Sequence, residues 1–137
     1  MENDIIRITP NKEKAKSILK MVDTTLEMIK QIDKSRFPSN IVKEYYDVIR
    51  ELISIILLLD GYKITGEGAH KKQIEYLEAK YKEYTKQDII FMDDLRIIRN
   101  KISYDGFFVK VDYVERKLDD IKKIIEKSKN IVNKKLN

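Results

Sequence analysis

Apolar residues recur every three or four positions in five separate runs along this chain, and each run predicts an amphipathic helix. The first run is Ala15, Ile18, Val22, Leu26, Ile29 and Ile32. It follows Thr9-Pro10, a pair suited to the N-cap and the first helical position. Phe37-Pro38-Ser39 reads as a turn, and a second helix is expected from about Asn40 to Leu59. Tyr45, Val48, Leu52, Ile55 and Leu59 line one face of it, and Val42, Ile49, Ile53 and Ile56 line the next. Only the strip Lys43, Asp47, Arg50 and Ser54 is clearly polar, so this helix is expected in the middle of a bundle. Gly61 to Gly68 reads as a loop. A third stripe holds His70, Ile74, Leu77, Tyr81 and Tyr84. A fourth begins near Lys86, carries Phe91, Leu95, Ile98 and Ile102, and stops at Gly106 as a C-terminal cap. The last carries Val114, Leu118, Ile121, Ile125, Ser128 and Val132.

Four glycines and two prolines are too few for many β-turns. The expected fold is therefore all-α, an up-and-down bundle of about five helices, in one domain over residues 1–137. The absence of cysteine excludes disulfides, thiolate metal sites and cysteine nucleophiles together. The longest apolar stretch, Leu52 to Leu59, falls far short of the roughly 18–20 residues that span a bilayer. The opening Met1-Glu2-Asn3-Asp4 is unlike a secretory leader, so a cytoplasmic location and no membrane are expected.

The net charge of +5 is confined to one place. From Ile121 to Asn137 there are six lysines against one glutamate, while the other 120 residues hold 22 basic and 22 acidic side chains. A basic helix end complements its dipole and can add unspecific attraction for phosphate. Gly61-Tyr62-Lys63-Ile64-Thr65-Gly66-Glu67-Gly68 is not a phosphate loop, because no Gly-Lys-Ser/Thr closes it and no strand is expected before it. The adjacent acids Asp93-Asp94 and Asp119-Asp120 point about 100° apart on a helix and do not face each other. His70, the sole histidine, lies on an apolar stripe near a helix start, where burial and the dipole hold it neutral. No cofactor and no metal site are expected.

Leu95-Arg96-Ile97-Ile98-Arg99-Asn100-Lys101-Ile102-Ser103-Tyr104-Asp105-Gly106 has a simple structural explanation, with Arg99 flanking the core stripe and Tyr104 packing at the helix end. The segment also resembles the HEPN family of helical domains, whose hallmark is Arg-Asn-x-x-x-His late in a helix. Arg99 and Asn100 match it, and Tyr104 stands where the histidine is expected. Gly61-Tyr62-Lys63, His70 and Leu77 extend the likeness, which spans Tyr45 to Gly106. Active HEPN members are metal-independent endoribonucleases, often toxins paired with a nucleotidyltransferase antitoxin. The resemblance implies an accessible Arg99 as phosphate binder, Tyr104 in the proton-transfer position, Asn100 and Lys101 beside them, and Arg96 and His70 as auxiliaries. A phenol ionising near pH 10 is a poor base at neutral pH, which favours RNA or nucleotide binding with weak or no cleavage. An active ribonuclease using Tyr104 or His70 and a helical scaffold for a nucleotidyltransferase or other protein stay open, as does a role in toxin–antitoxin or defence systems.

Along an ideal helix Arg99 and Tyr104 diverge by about 140° and rise about 7.5 Å, so they share a ligand only if the helix unwinds or a second subunit contributes. Ile90, Ile97 and Tyr104 form a second apolar stripe, which predicts a two-fold homodimer with Arg99 at its interface cleft.

Overall fold

A computed structural model of the chain describes residues 4–137; the acidic opening Met1-Glu2-Asn3, read above as unlike a leader, lies outside them. Five helices make up the bundle: α1 (Lys12–Lys30), α2 (Pro38–Asp60), α3 (Ala69–Lys80), α4 (Lys86–Asp105) and α5 (Val111–Leu136). Two three-residue strands, β1 (Ile5–Arg7) and β2 (Tyr62–Ile64), pair antiparallel with Ile5 opposite Ile64. Among the described residues no helix is long and apolar enough to cross a membrane.

The centre of the molecule is α2. Thirteen of its residues are buried, including Ile49, Leu52, Ile55 and Ile56, and α1, α3, α4, α5 and β2 all pack against it. Pro38 occupies the first turn rather than a preceding bend; its missing N–H costs nothing there, because that group has no helical acceptor. Gly61 ends the helix in the left-handed region at φ +88°, and a Cβ would meet the Ile8 carbonyl oxygen at 3.2 Å. That close approach brings the N-terminal segment onto the end of α2, where the Ile8 N–H donates to the Gly61 oxygen at 2.9 Å.

This pairing explains two differences from the sequence expectation. The stretch between Gly61 and Gly68 contains β2, whose partner lies more than fifty residues earlier in the chain. Helix α1 starts at Lys12, with the Asn11 side chain accepting the Lys14 N–H at 2.9 Å, because the chain is held extended through Ile8 and Pro10 keeps Thr9 extended too. The third stripe is also shorter than its apolar spacing suggests, since α3 ends at Lys80. Tyr81 and Tyr84 leave the helix because their hydroxyls are held elsewhere, on Asp60 at 2.6 Å and on Ser128 at 2.7 Å. Helix α4 follows the expected bounds. Thr85 and Asp88 cap each other's backbone at its start, and Gly106 closes it at φ +64°.

Asp60 is the polar clasp at the lower end of the bundle. Its carboxylate accepts from Tyr76 Oη at 2.7 Å and Tyr81 Oη at 2.6 Å, and Lys135 Nζ lies 2.5 Å away, so one side chain ties α2, α3 and α5 together. Burial opposes its charge, but the Lys135 and tyrosine hydrogen bonds outweigh burial and hold the carboxyl below its ordinary value of 3.8. A depressed folded-state pKa means that the clasp stabilises the fold above that ordinary value and is lost as pH falls through the lower one. Asp60→Ala leaves two phenols and an ammonium without their acceptor. It is expected to cost about 2 kcal/mol in urea unfolding at pH 7, within the range for unsatisfied buried donors, and much less at pH 2.5. Equal losses at both pH values would refute the clasp.

Candidate functional site

The polar strip on α2 is only partly open to solvent, the side chains of Arg50 and Asp47 being 30% and 31% exposed. It forms the wall against which α3 and α4 close, and the side chains across that wall meet it one by one. Asp47 Oδ1 lies 3.3 Å from Arg99 Nη2 of α4 and 3.7 Å from Arg50 Nη2 on its own helix. Arg50 Nη1 lies 2.9 Å from Nε2 of His70, the second residue of α3. Ser54 Oγ accepts from Gln73 Nε2 at 3.1 Å. Tyr46 completes the wall, its ring centroid 6.5 Å from that of His70 at a 54° tilt.

The cluster is poor in hydrogen bonds for its charge. Asp47 Oδ1, Arg50 Nε, Arg99 Nε and Ser103 Oγ are buried atoms with no hydrogen-bond partner among the described residues. The guanidinium groups thus sit near Asp47 without aligned N–H donors on Oδ1, and their attraction is mostly coulombic. Three arginines, Arg50, Arg96 and Arg99, converge here. Two carboxylates answer them, since Arg96 Nε also donates to Asp93 at 2.8 Å. This surplus of positive charge, together with burial, sets the ionisation of its neighbours. Burial first, then Arg50 and Arg99, holds His70 below its ordinary value of 6.5, against the opposite pull of Asp47. Burial likewise pushes the Tyr46 phenol up to about 12, although the arginines resist it.

Beside the cluster a cleft of about 220 Å³ opens between the Gly66–Gly68 turn and α4. Gly66, Gly68, Ala69, His70 and Lys71 form one side; Arg96, Asn100 and Tyr104 form the other. The α4 residues are spaced by four and so share one helix face. On the α3 side, Gly68 provides no side chain to cap the first turn, which leaves N–H groups of that turn free for solvent or an anion.

Four of the residues singled out in the sequence are therefore brought together, namely His70, Arg96, Asn100 and Tyr104. Arg99 is not placed as expected. Its side chain is only 15% exposed, is paired with Asp47 and does not line the cleft. The helical rotation that separates positions 99 and 104 turns Arg99 and Ser103 toward α2 while Arg96, Asn100 and Tyr104 face the opening. α4 stays helical through Asp105, so no unwinding reconciles the two. Lys101 points away as well, its ammonium 5.9 Å from the centre of the Phe107 ring. Sequence reasoning missed Tyr46, Asp47 and Arg50 as members of the site. The signal for Asp47 and Arg50 was the single polar strip on the most apolar helix of the chain; Tyr46 lies outside that strip.

The pairing of Arg99 with Asp47 makes a stability prediction. Arg99→Ala and Asp47→Ala are each expected to lower stability by about 1–3 kcal/mol, since each strands a partly buried charge. The double variant is expected to lose less than the sum by about 1 kcal/mol. Urea titrations of the four proteins provide the cycle; strict additivity would mean that the two charges do not interact.

No protein-family model matches this chain, and no curated protein matches it either.

Proposed function

We propose that this protein binds RNA or a nucleotide through the cleft between α3 and α4, as a HEPN-like domain with weak or no ribonuclease activity. The observation that carries the reading is an opening lined by Arg96 and a neutral imidazole, with the guanidinium groups of Arg50 and Arg99 close behind it. Phosphate oxygens suit such a surplus of donors, because charge-assisted and bidentate contacts to arginine are the stronger class of hydrogen bond. Arg96 and the uncapped first turn of α3 take the phosphate; Arg99, paired with Asp47, adds to the field from behind, and Arg50 stands beside His70. Asn100 and Tyr104 contribute a polar amide and an aromatic face exposed over 75% of its surface, which suits an unstacked base. Lys101 lies on the flank and adds charge only. Among the described residues no acid or base holds Tyr104 ready for proton transfer, which is the ground for weak cleavage.

A second reading, an active metal-independent endoribonuclease, is favoured by one observation: His70 lies within the arginine cluster, where an imidazole could replace the one missing at position 104. In that case cleavage occurs in EDTA and is abolished in His70→Ala.

The proposed assembly is a two-fold homodimer. Ile90, Ile97 and Tyr104 are 52%, 40% and 75% exposed along one face of α4. Tyr104 belongs both to this patch and to the cleft, so a second copy docked on the face would set two clefts side by side. A toxin–antitoxin or defence setting, with a nucleotidyltransferase as partner, is the alternative that the HEPN resemblance implies.

Two measurements test these proposals. Fluorescence anisotropy with a short single-stranded RNA at low salt is expected to show binding that Arg96→Ala weakens about five- to tenfold, the range of one lost phosphate contact. Binding that is indifferent to Arg96→Ala but lost when the lysines of Ile121–Asn137 are replaced would assign it to unspecific attraction by the basic helix end. In sedimentation, Ile97→Asp is expected to turn a dimer into a monomer. A wild-type protein that is monomeric at 100 μM contradicts the assembly.

A further inference from the structure

The contact between Arg50 and His70 is informative because a guanidinium has N–H groups to donate and nothing to accept with. At 2.9 Å, Arg50 Nη1 is the donor and His70 Nε2 the acceptor. That leaves the imidazole proton on Nδ1 and the ring neutral. An imidazolium cannot keep this bond, because both of its nitrogens are donors.

The groups around the ring all bear on its charge. From α2 come Tyr46, Asp47 and Arg50, from α4 come Arg96 and Arg99, and Lys71 adjoins it on α3. Only Asp47 favours the imidazolium, and it is already engaged by two arginines. Arg50 itself is held loosely. It lies 3.7 Å from Asp47, its buried Nε has no partner among the described residues, and its side chain keeps 30% of its surface exposed. It is the one cluster arginine that is both anchored on a neutral acceptor and free enough to turn.

We propose that Arg50 is a positioning residue that masks His70 Nε2 beside the cleft, and that an arriving phosphoryl group draws the Arg50 N–H donors to itself and frees Nε2 to take up a proton. This rests on the reading of the cleft as a phosphate site. Two effects act in the same direction. The donor that stabilised the neutral ring is withdrawn, and the anion offsets the positive field of Arg50, Arg96 and Arg99. Binding is then linked to uptake of one proton from solvent at Nε2, and by reciprocity the complex is tighter at mildly acid pH. The ring becomes an imidazolium, able to donate to the phosphoryl oxygens, only when a ligand is present.

With one histidine in the chain, the imidazole resonances of an isotope-labelled sample report on His70 alone. The free protein is expected to show the Nδ1–H tautomer and a titration midpoint below 6.5. Saturation with a fully 2′-O-methylated RNA pentanucleotide, which cannot be cleaved by 2′-hydroxyl attack, is expected to raise the proton affinity of His70 about tenfold, one pH unit. In free Arg50→Gln the midpoint should already lie closer to 6.5, and RNA should move it less. Bound RNA that leaves the wild-type midpoint unchanged overturns the proposal while sparing the cleft as a binding site. An Nε2–H tautomer in the free protein also overturns it. If the RNA does not bind at all, both the site reading and the proposal fall. Should Arg50→Gln not fold, the wild-type tautomer and its response to RNA decide the matter without it.

Discussion

The structure depends on how α2 is used. A helix apolar around most of its girth is stable only when other elements cover it, and four helices and a strand do so here. Its remaining strip is polar and is partly covered as well. Asp47, Arg50 and Ser54 therefore meet partners across an interface while keeping some contact with water, and partly burying charge without full compensation is costly. Every other feature of the cleft follows from that constraint: Arg99 and Ser103 are turned inward, His70 is held neutral, and the row Arg96, Asn100, Tyr104 is left facing outward on the far side of the same helix.

The division of labour along α4 is a matter of helical geometry. Positions 99 and 103 share one face and positions 96, 100 and 104 share another, while 90, 97 and 104 run along a third direction that stays exposed. One helix thus contributes to the interior, to the cleft and to an open apolar surface. Tyr104 stands where the last two meet. A substitution there touches both any ligand and any second copy, whereas Arg96 reports on the cleft and Ile97 on the surface.

The five helices were legible because each carries a periodic apolar stripe, and the end of α4 because Gly106 is a strong cap. The central place of α2 was legible for the same reason. What the sequence could not show depends on partners far apart in the chain. Three-residue strands carry no readable period, and the pairing of Ile5 with Ile64 is fixed by the close approach of Ile8 to Gly61. Tyr81 and Tyr84 have helical spacing, but hydroxyl bonds to Asp60 and Ser128 draw them off the helix. Arg99 was visible as a residue worth attention, yet its orientation depends on Asp47, fifty-two positions earlier, and no local pattern specifies that meeting. The polar strip of α2 was noticed, and its location against α3 and α4 is what gives it meaning.

The central claim is that the cation-lined cleft between α3 and α4 is where an anionic ligand meets this protein. Amide chemical-shift mapping during titration with a short single-stranded RNA tests it most directly, because it reports location rather than affinity. The account predicts that the largest changes fall on Gly66–Lys71 and on Arg96, Asn100 and Tyr104, with smaller ones at Asp47 and Arg50. Changes confined to the lysine-rich end of α5, with the cleft residues unmoved, would contradict it.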